Sequence, residues 1–440
     1  MIKIILIFAV LLALFTACNT NNNEPAPYTT EALLSYSEYE ETLYESTPGV
    51  LPSIFIETAA GNIHRTNWRG TTVALRNAGE YSFSPVTAQI RGRGNSSWNL
   101  MGEKRPFRLR FTEPVEMPGG GHASPHWSFI ANAMDFSLLR SYAAYYLGEL
   151  LSGFDYSPTH QFVHVYLSGN YRGVYMISDQ MEVAPARVNI TRHSDPARSE
   201  YFVQWCRHPR SEGDVRINVG ANNTPFQIRY PGGRRLTDGH VDFVRDFLSQ
   251  VDDAMMRMDH DAILQLIDLQ SFIDFYIVQE FFKNADVGFS SVFFTIRQTE
   301  EGPRLFAGPL WDFDQAAGNT YVRGWYMDYG PRGAWVIHAN HWMRNFIIIP
   351  NFRTAVAARW YEIRENEIEQ MIQHLEYIND RYRDCFDRNF GRWPYKLGNY
   401  LWRTPRTIQA LDTREGQVDH LLDWFRQRRI WMDGFLLETV

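Results

Sequence analysis

The sequence predicts an α+β protein with a sheet-rich N-terminal part and a helix-rich C-terminal part. Short segments rich in Ile, Val, Thr and Phe, punctuated by Gly and Asn turns, run from Leu51 to Ser178. Apolar residues at helical spacing dominate from Val241 onward. With 440 residues, of which 45% are hydrophobic and 15% aromatic, the chain can bury a substantial core. The pattern accommodates two lobes or one elongated domain, and it contains no internal repeat.

The elements follow in order. Ser53 to Thr58, Thr71 to Leu75, Thr87 to Arg91 and Phe107 to Phe111 alternate in polarity and read as strands. Asp135 is placed to cap a helix over Phe136 to about Leu151, with Leu138, Leu139, Tyr146, Leu147 and Leu150 on one face. Phe162 to Leu167, the Ser168-Gly169-Asn170 turn, and Arg172 to Ser178 form a hairpin. Helices follow at Val241 to Met258, Ile263 to Ile267 and Leu269 to Lys283. Two strands return between Val292 and Trp311, separated by the polar turn Gln298 to Pro303. From Asn351 the chain is mainly helical, with apolar spacing at Ile368, Met371, Ile372 and Leu375 and again at Leu421, Leu422, Trp424, Phe425 and Ile430.

Three clusters are candidates for chemistry. After a predicted strand comes Arg91-Gly92-Arg93-Gly94-Asn95-Ser96-Ser97-Trp98, where glycines admit close backbone approach to an anion and Asn95, Ser96 and Ser97 add hydrogen-bonding groups. Lys104 and Arg105 lead into the next strand and supply cations nearby. Taken alone, such a loop is as readily a structural turn. In the second cluster, Lys283-Asn284-Ala285-Asp286 ends an apolar helix, and a carboxylate leaving a buried helix is rigid yet reachable, as a general base or metal ligand must be. Asn284 as a C-cap and Asp286 as a turn former is the plain alternative.

The third cluster, Trp311-Asp312-Phe313-Asp314, sets two carboxylates just after an apolar strand, the oxygen ligands a hard divalent cation takes. If the strands at 292 to 296 and 304 to 310 form a hairpin, its open end brings Asp286 and Asp312 together. Such a convergence requires a metal, a proton or a cation, for which Lys104 and Arg105 are the candidates. The order of glycine loop, Lys, helix, helix-terminal Asp, hairpin and Asp-Phe-x parallels the order of parts in phosphoryl-transfer enzymes of the protein-kinase type.

Composition and the N-terminus narrow the classes further. With 43 basic against 50 acidic residues, a formal charge of −7 and no long basic run, nucleic acid is not the expected partner. Met1 to Ala17 carries Lys3 and an apolar run from Ile4 to Phe15, the layout of a secretory leader. Leu14-Phe15-Thr16-Ala17-Cys18 resembles the bacterial lipoprotein cleavage box, with Phe15 where that box usually has Leu. The expectation is a leader over 1–17, a lipidated Cys18 with a polar tether to about residue 30, and a membrane-anchored protein of the bacterial cell envelope. An ordinary cleaved leader is the alternative. Cys206 and Cys385 permit one disulfide without requiring it. CxxC and HExxH are absent, and His338 with His341 reads as a surface or packing pair.

These residues together resemble the spore coat protein H (CotH) kinase family of atypical secreted or surface kinases. The resemblance rests on Ile90 to Trp98 with Lys104-Arg105-Pro106-Phe107, on Asp135 to Arg140, and on Tyr171-Arg172-Gly173-Val174-Tyr175. It continues through Asn284-x-Asp286, Gly308 to Asp314 and Asn389-Phe390-Gly391-Arg392-Trp393. It implies one CotH-like domain over about 50–435, a distant kinase-like two-lobed fold with a sheet-rich lobe at about 50–180 and a helix-rich lobe at about 240–435. It further implies ATP with magnesium or manganese, and phosphorylation of Ser or Thr in exported or surface proteins, the chain itself included. On that resemblance Asp286 is the catalytic Asp, Lys104 the phosphate-contacting Lys, and Asp312 with Asp314 the metal pair. Gly92, Arg93, Gly94, Asn95 and Ser96 cover the nucleotide. Asp179 stands where the family usually has Glu, so its pair with Lys104 would be shorter or re-formed by Glu182. Ser291 stands where protein kinases place a metal-binding Asn. A catalytically inactive binding or scaffold protein on the same fold is the alternative.

Overall fold

The computed structural model describes residues 46–58, 63–99, 102–208, 213, 215–320, 329–394 and 405–437. The leader, Cys18 and the tether expected at 1–30 lie outside the described residues. Strands and helices are both abundant, so the fold is α+β.

Seven strands close into a barrel in the order β1-β2-β3-β4-β5-β7-β6. They are β1 (Ser53–Thr58), β2 (Arg69–Arg76), β3 (Phe83–Gly92), β4 (Phe107–Glu116), β5 (Ala123–Ile130), β6 (Gln161–Leu167) and β7 (Asn170–Asp179). All neighbours are antiparallel except the closing pair, where β1 runs parallel to β6 in the register Ile54↔Val165. The period of two sorts each strand: Phe107, Leu109 and Phe111 of β4 point inward while Arg108 and Arg110 point out. Ile90 of β3, Trp127 and Phe129 of β5, and Tyr175 and Ile177 of β7 complete that interior. Strand β5 and the closure are absent from the sequence-based expectation, because closure depends on a pairing between segments a hundred residues apart.

A one-turn helix α1 (Ser96–Asn99) leaves the end of β3, and α2 (Arg140–Leu150) follows the barrel strand β5. The expected start at Phe136 is four residues early. Leu138 adopts φ 66°, and the Asp135 carboxylate accepts from the backbone N–H groups of both Ser137 and Arg140, making a turn of 135–139.

A second, five-stranded sheet has the order β12-β11-β8-β10-β9, from β8 (Tyr201–Trp205), β9 (Val215–Val219), β10 (Thr224–Tyr230), β11 (Val292–Thr299) and β12 (Gly302–Ala307). The expected hairpin of β11 and β12 forms, in the register Phe294↔Ala307. The three strands between 201 and 230 were not foreseen, and β8 inserts between β11 and β10. Helices α3 (Asp238–Arg257) and α4 (His260–Leu266) precede α5 (Leu269–Phe282), which is buried from Ser271 to Phe282. Asp268 caps α5 by accepting from the Ser271 N–H at 2.8 Å, and Lys283 ends it at φ 46°. After α5 come α6 (Val336–Ala339), α7 (His341–Ile348), α8 (Pro350–Ile363), α9 (Glu367–Arg381), α10 (Arg383–Arg392), α11 (Arg406–Gln409) and α12 (Arg414–Leu437). Among the described residues no helix is long and apolar enough to cross a membrane.

Two of the sequence motifs turn out to hold the barrel to the helical part. Gly173 sits at φ 93° in β7, and α10 presses against it: Asn389 Oδ1 accepts from the Val174 N–H at 3.0 Å and the Trp393 indole donates to the Arg172 carbonyl at 2.8 Å. A Cβ at Gly173 would meet Asn389 Oδ1 at 2.5 Å and the Trp393 ring at 2.9 Å. Gly173→Ala is therefore expected to destabilise the protein by about 2–4 kcal/mol, read as a lower urea midpoint. An unchanged midpoint would mean that α10 docks without this contact.

Cys206 and Cys385 are both buried free thiols. Cys385 Sγ points at the Gly49 carbonyl at 3.6 Å, and burial raises its thiol pKa.

Candidate active site

The open end of the β11–β12 hairpin faces the glycine loop at the end of β3, and a cavity of about 770 Å³ separates them. Arg93, Gly94, Asn95, Ser96 and Ser97 line one side. Asp286, Asp312 and Asp314 line the other.

Local chain chemistry explains both walls. Gly94 adopts φ 84°, where a Cβ would strike Ser97 Oγ at 2.2 Å, so the turn into α1 needs glycine. Gly92 serves a different purpose from the one expected: a Cβ there would lie 2.1 Å from the Trp98 indole, so the glycine makes room for Trp98 behind the cavity wall. On the opposite wall, Asp286 follows the end of α5. Its N–H donates to Asn284 Oδ1 at 3.0 Å, and its carbonyl accepts from Phe289 and Ser290. The backbone of Asp286 makes the turn, and its half-buried side chain lines the cavity.

Asp312 adopts φ 68°, and its carboxylate accepts from Ser291 Oγ at 3.0 Å. Its backbone N–H donates to the Tyr145 hydroxyl at 3.3 Å, and Tyr145 stacks on Trp311. Two backbone bonds tie the loop after Asp312 to the end of α5: Ala285 N–H to the Gln315 carbonyl at 3.2 Å and Ala317 N–H to the Phe282 carbonyl at 2.6 Å. The hairpin and these two bonds set the spacing of Asp286, Asp312 and Asp314.

Electrostatics register the convergence. The Asp314 carboxyl is held well above the usual carboxylate range, first by its withdrawal from solvent and then by Asp312, Asp286 and Asp135. Arg93 opposes this, and among the described residues it is the Arg or Lys that lines the cavity: its guanidinium lies over the Trp311 ring at 5.4 Å. Arg105, one of the two expected cations, instead lies over Trp98 at 4.8 Å.

Lys104, the other, is 2% exposed and does not line the cavity; its ammonium lies over the Tyr175 ring at 5.6 Å. Burial pushes its ammonium down to about 7, against the opposing pull of Asp135. The acid facing Lys104 is thus Asp135, where Asp179 or Glu182 was expected. Asp179 bonds Arg187 Nε at 2.7 Å, Thr159 Oγ1 at 2.8 Å and His122 Nε2 at 3.2 Å. Burial would raise the Asp179 carboxyl, yet the His122 hydrogen bond, Arg187 and Thr159 hold it down to about 2. Glu182 is engaged by Arg187 and by His126 at 2.9 Å. Neither Asp179 nor Glu182 lines the cavity, and both side chains are committed to the partners just named.

Asp135 is itself braced. Arg140, 1% exposed, pairs with Asp135 Oδ1 at 2.5 Å and donates to the carbonyls of Ala316 at 3.0 Å and Ala317 at 3.2 Å. One guanidinium therefore links the acid beside Lys104 to the loop carrying Asp314.

The chain matches the family model described as CotH kinase protein over residues 90–432, most of its length. It belongs to the CotH kinase family. Compared one by one with curated proteins, it matches none. The CotH kinase match covers the glycine loop, Asp135, Asp286, Asp312 and Asp314, and membership supports a kinase-like function. Within this CotH domain, the cavity is also lined by residues that no motif of the sequence points to. Tyr145 and His208 line the site without any motif to mark them, and His338, read as part of a packing pair, reaches its rim. His341, the other half of that pair, lies 3.6 Å from Asp252 instead.

Among the described residues, no three His, Cys, Asp or Glu side chains gather closely enough to cage an ion by themselves. The donor set is nonetheless all carboxylate, and withdrawal from solvent together with Asp312, Asp286 and Asp135 opposes ionisation of Asp314 until a cation is near. That combination fits a magnesium-type ion, which commonly takes one or two protein carboxylates and completes its shell with phosphates and water.

Proposed function

We propose that this protein transfers the γ-phosphoryl group of ATP to Ser or Thr hydroxyls of exported or surface proteins. The observation that carries the reading is the cavity in which Arg93 to Ser97 face Asp286, Asp312 and Asp314, with Asp314 raised by burial and by its acidic neighbours. In this reading the barrel and the helical part correspond to the two lobes of a distant kinase-like fold.

Asp286 orients the acceptor hydroxyl and takes its proton as the oxygen bonds to the γ-phosphorus. The bond from that phosphorus to the bridging oxygen breaks, and ADP departs with its electrons. Asp312 and Asp314 hold magnesium or manganese, which when bound neutralises the phosphate charge. Arg93 adds positive charge beside the transferred group, and the backbone from Gly94 to Ser96 covers the nucleotide. Lys104, desolvated and only weakly countered by Asp135, gains a full charge when a phosphate lies near. The N-terminal leader and Cys18 support a lipid-anchored location in the cell envelope, outside the cytoplasm.

The test is transfer of labelled phosphate from ATP to the protein itself and to envelope proteins, with and without magnesium. Metal-dependent incorporation is expected, together with a rise in melting temperature that needs ATP and metal jointly. A joint thermal rise without incorporation favours a nucleotide-binding scaffold. The engagement of Asp179 and Glu182 by Arg187, and Ser291 in place of Asn, point toward that second reading. Neither incorporation nor thermal rise overturns both.

A further inference from the structure

A second cleft, of about 870 Å³, lies on the outer face of the barrel beside the glycine loop. Its origin is the strand period. Inward Ile90 and Leu109 turn their neighbours outward, so Arg91 of β3 faces Arg108 of β4 directly across the pair and Arg110 follows two residues on. Arg229 and Arg235, from β10 and the turn beyond it, bring further guanidiniums to the same cleft. Trp68 lies between two of them, with Arg91 and Arg110 each 4.6 Å from its ring.

Like charges opposite one another on a sheet are destabilising, and among the described residues the side-chain acceptors here are the neutral amides of Gln89, for Arg110, and Gln227, for Arg229. Among the described residues the Arg108 side chain makes no hydrogen bond, and the buried Nε atoms of Arg108 and Arg91 have no partner. Burial pushes Arg108 down to about 9, with Arg93, Arg91 and Arg229 adding to the effect. Glu182, at the edge of the cleft, is already engaged by Arg187 and His126. A withdrawn guanidinium such as that of Arg108, with Arg91, Arg229 and Arg235 beside it, is what a doubly charged, many-oxygen anion satisfies, in the forked geometry of arginine.

The cleft also adjoins the candidate active site. Arg93, two residues beyond Arg91, lines the first cavity, and it is the foremost charged neighbour of Arg108 in the second. At about 3.3 Å per residue, a few residues of extended chain reach from one to the other. A net charge of −7 without a basic run weighs against nucleic acid as the occupant.

We propose that this arginine cleft binds a phosphorylated segment of the protein substrate, so that a phosphoryl group already present directs modification of a hydroxyl a few residues away. The direction of modification rests on the kinase reading above; the binding itself does not.

The experiment uses the protein without its leader and tether and short fluorescein-labelled Ser peptides flanked by phosphoserine, by Asp or by Ala, read by fluorescence anisotropy without ATP or metal. The phosphopeptide is expected to bind about tenfold more tightly than the Ala peptide, and increasingly so at low salt. Arg108→Gln with Arg235→Gln is expected to remove that preference while leaving the joint ATP and metal thermal shift intact. Because Arg108 is repelled by its neighbours, the variant should melt no lower than the parent. The exposed Arg235→Gln alone, expected to weaken the preference, serves if the pair misfolds. Equal binding of phosphopeptide and Ala peptide, an unaffected variant, or displacement by inorganic phosphate at the same concentration overturns the proposal. So does binding to phosphatidylglycerol vesicles without binding to the phosphopeptide. An Asp peptide that binds as tightly overturns the requirement for phosphate. Phosphopeptide binding without the ATP and metal shift sinks the kinase reading and leaves the cleft standing; the reverse pattern sinks the cleft alone.

Discussion

Asp286→Asn is expected to lower the rate of phosphoryl transfer by about 10²–10⁴-fold while leaving the ATP and metal thermal shift in place. The substitution keeps the shape of the side chain and every backbone contact of the turn: the N–H to Asn284 Oδ1 and the carbonyl to Phe289 and Ser290. What it removes is the ability to accept a proton. It also removes one of the charges that raise Asp314, so the carboxyl of Asp314 should fall toward the ordinary range. Asp312→Asn serves as the contrast. It keeps an acceptor for Ser291 Oγ but weakens the ion-holding pair, so it is expected to abolish the thermal shift together with transfer. Labelled-phosphate incorporation and melting curves on the two variants separate the roles. Transfer at the parental rate by Asp286→Asn would remove Asp286 from the mechanism.

Arg428→Met is expected to destabilise the protein by about 3–5 kcal/mol, because it leaves Glu280 as an uncompensated charge in the core. Both residues are 0% exposed, and they pair at 2.5 Å. The pair also pins a loop. The Glu280 carboxylate accepts from the N–H groups of Trp335 and Val336, each at 2.8 Å, while Arg428 donates to the carbonyls of Pro331 at 3.0 Å and Gly333 at 2.8 Å. Lys283 holds the same loop from the end of α5, donating to the carbonyls of Gly330 and Arg332. The loop runs into α6, whose His338 and Ala339 line the candidate site. Urea unfolding measures the loss. Glu280→Gln combined with Arg428→Met should be less destabilising than the sum of the single changes, since neither charge is then left alone. Additive losses would show that the pair acts through separate contacts.

The two predictions draw on different amounts of sequence information. Asp286 and Asp312 were legible because they flank a hairpin, and a hairpin is written locally in two alternating runs and a polar turn. The pair of Glu280 and Arg428 was not legible. Glu280 sits in a helix so uniformly buried that its periodicity marks no special face, and its partner lies on α12, in the last helix of the chain.

The sequence by itself determined the strand faces of the barrel, the turn of the glycine loop, the β11–β12 hairpin that joins Asp286 to Asp312, and membership of the CotH kinase family through motifs in order along the chain. These features rest on a period of two, on turn residues, or on short motifs, all of which are local. Only the tertiary structure decided that β1 closes the barrel against β6, that β8 inserts between β11 and β10, and that Asp135 instead of Asp179 faces Lys104. It also decided that Gly92 accommodates Trp98 and that the outward arginines of β3 and β4 meet Arg229 and Arg235 in one cleft. Each of these depends on which distant segments pack together, and the free energy that selects among such pairings is carried by contacts that no local period records.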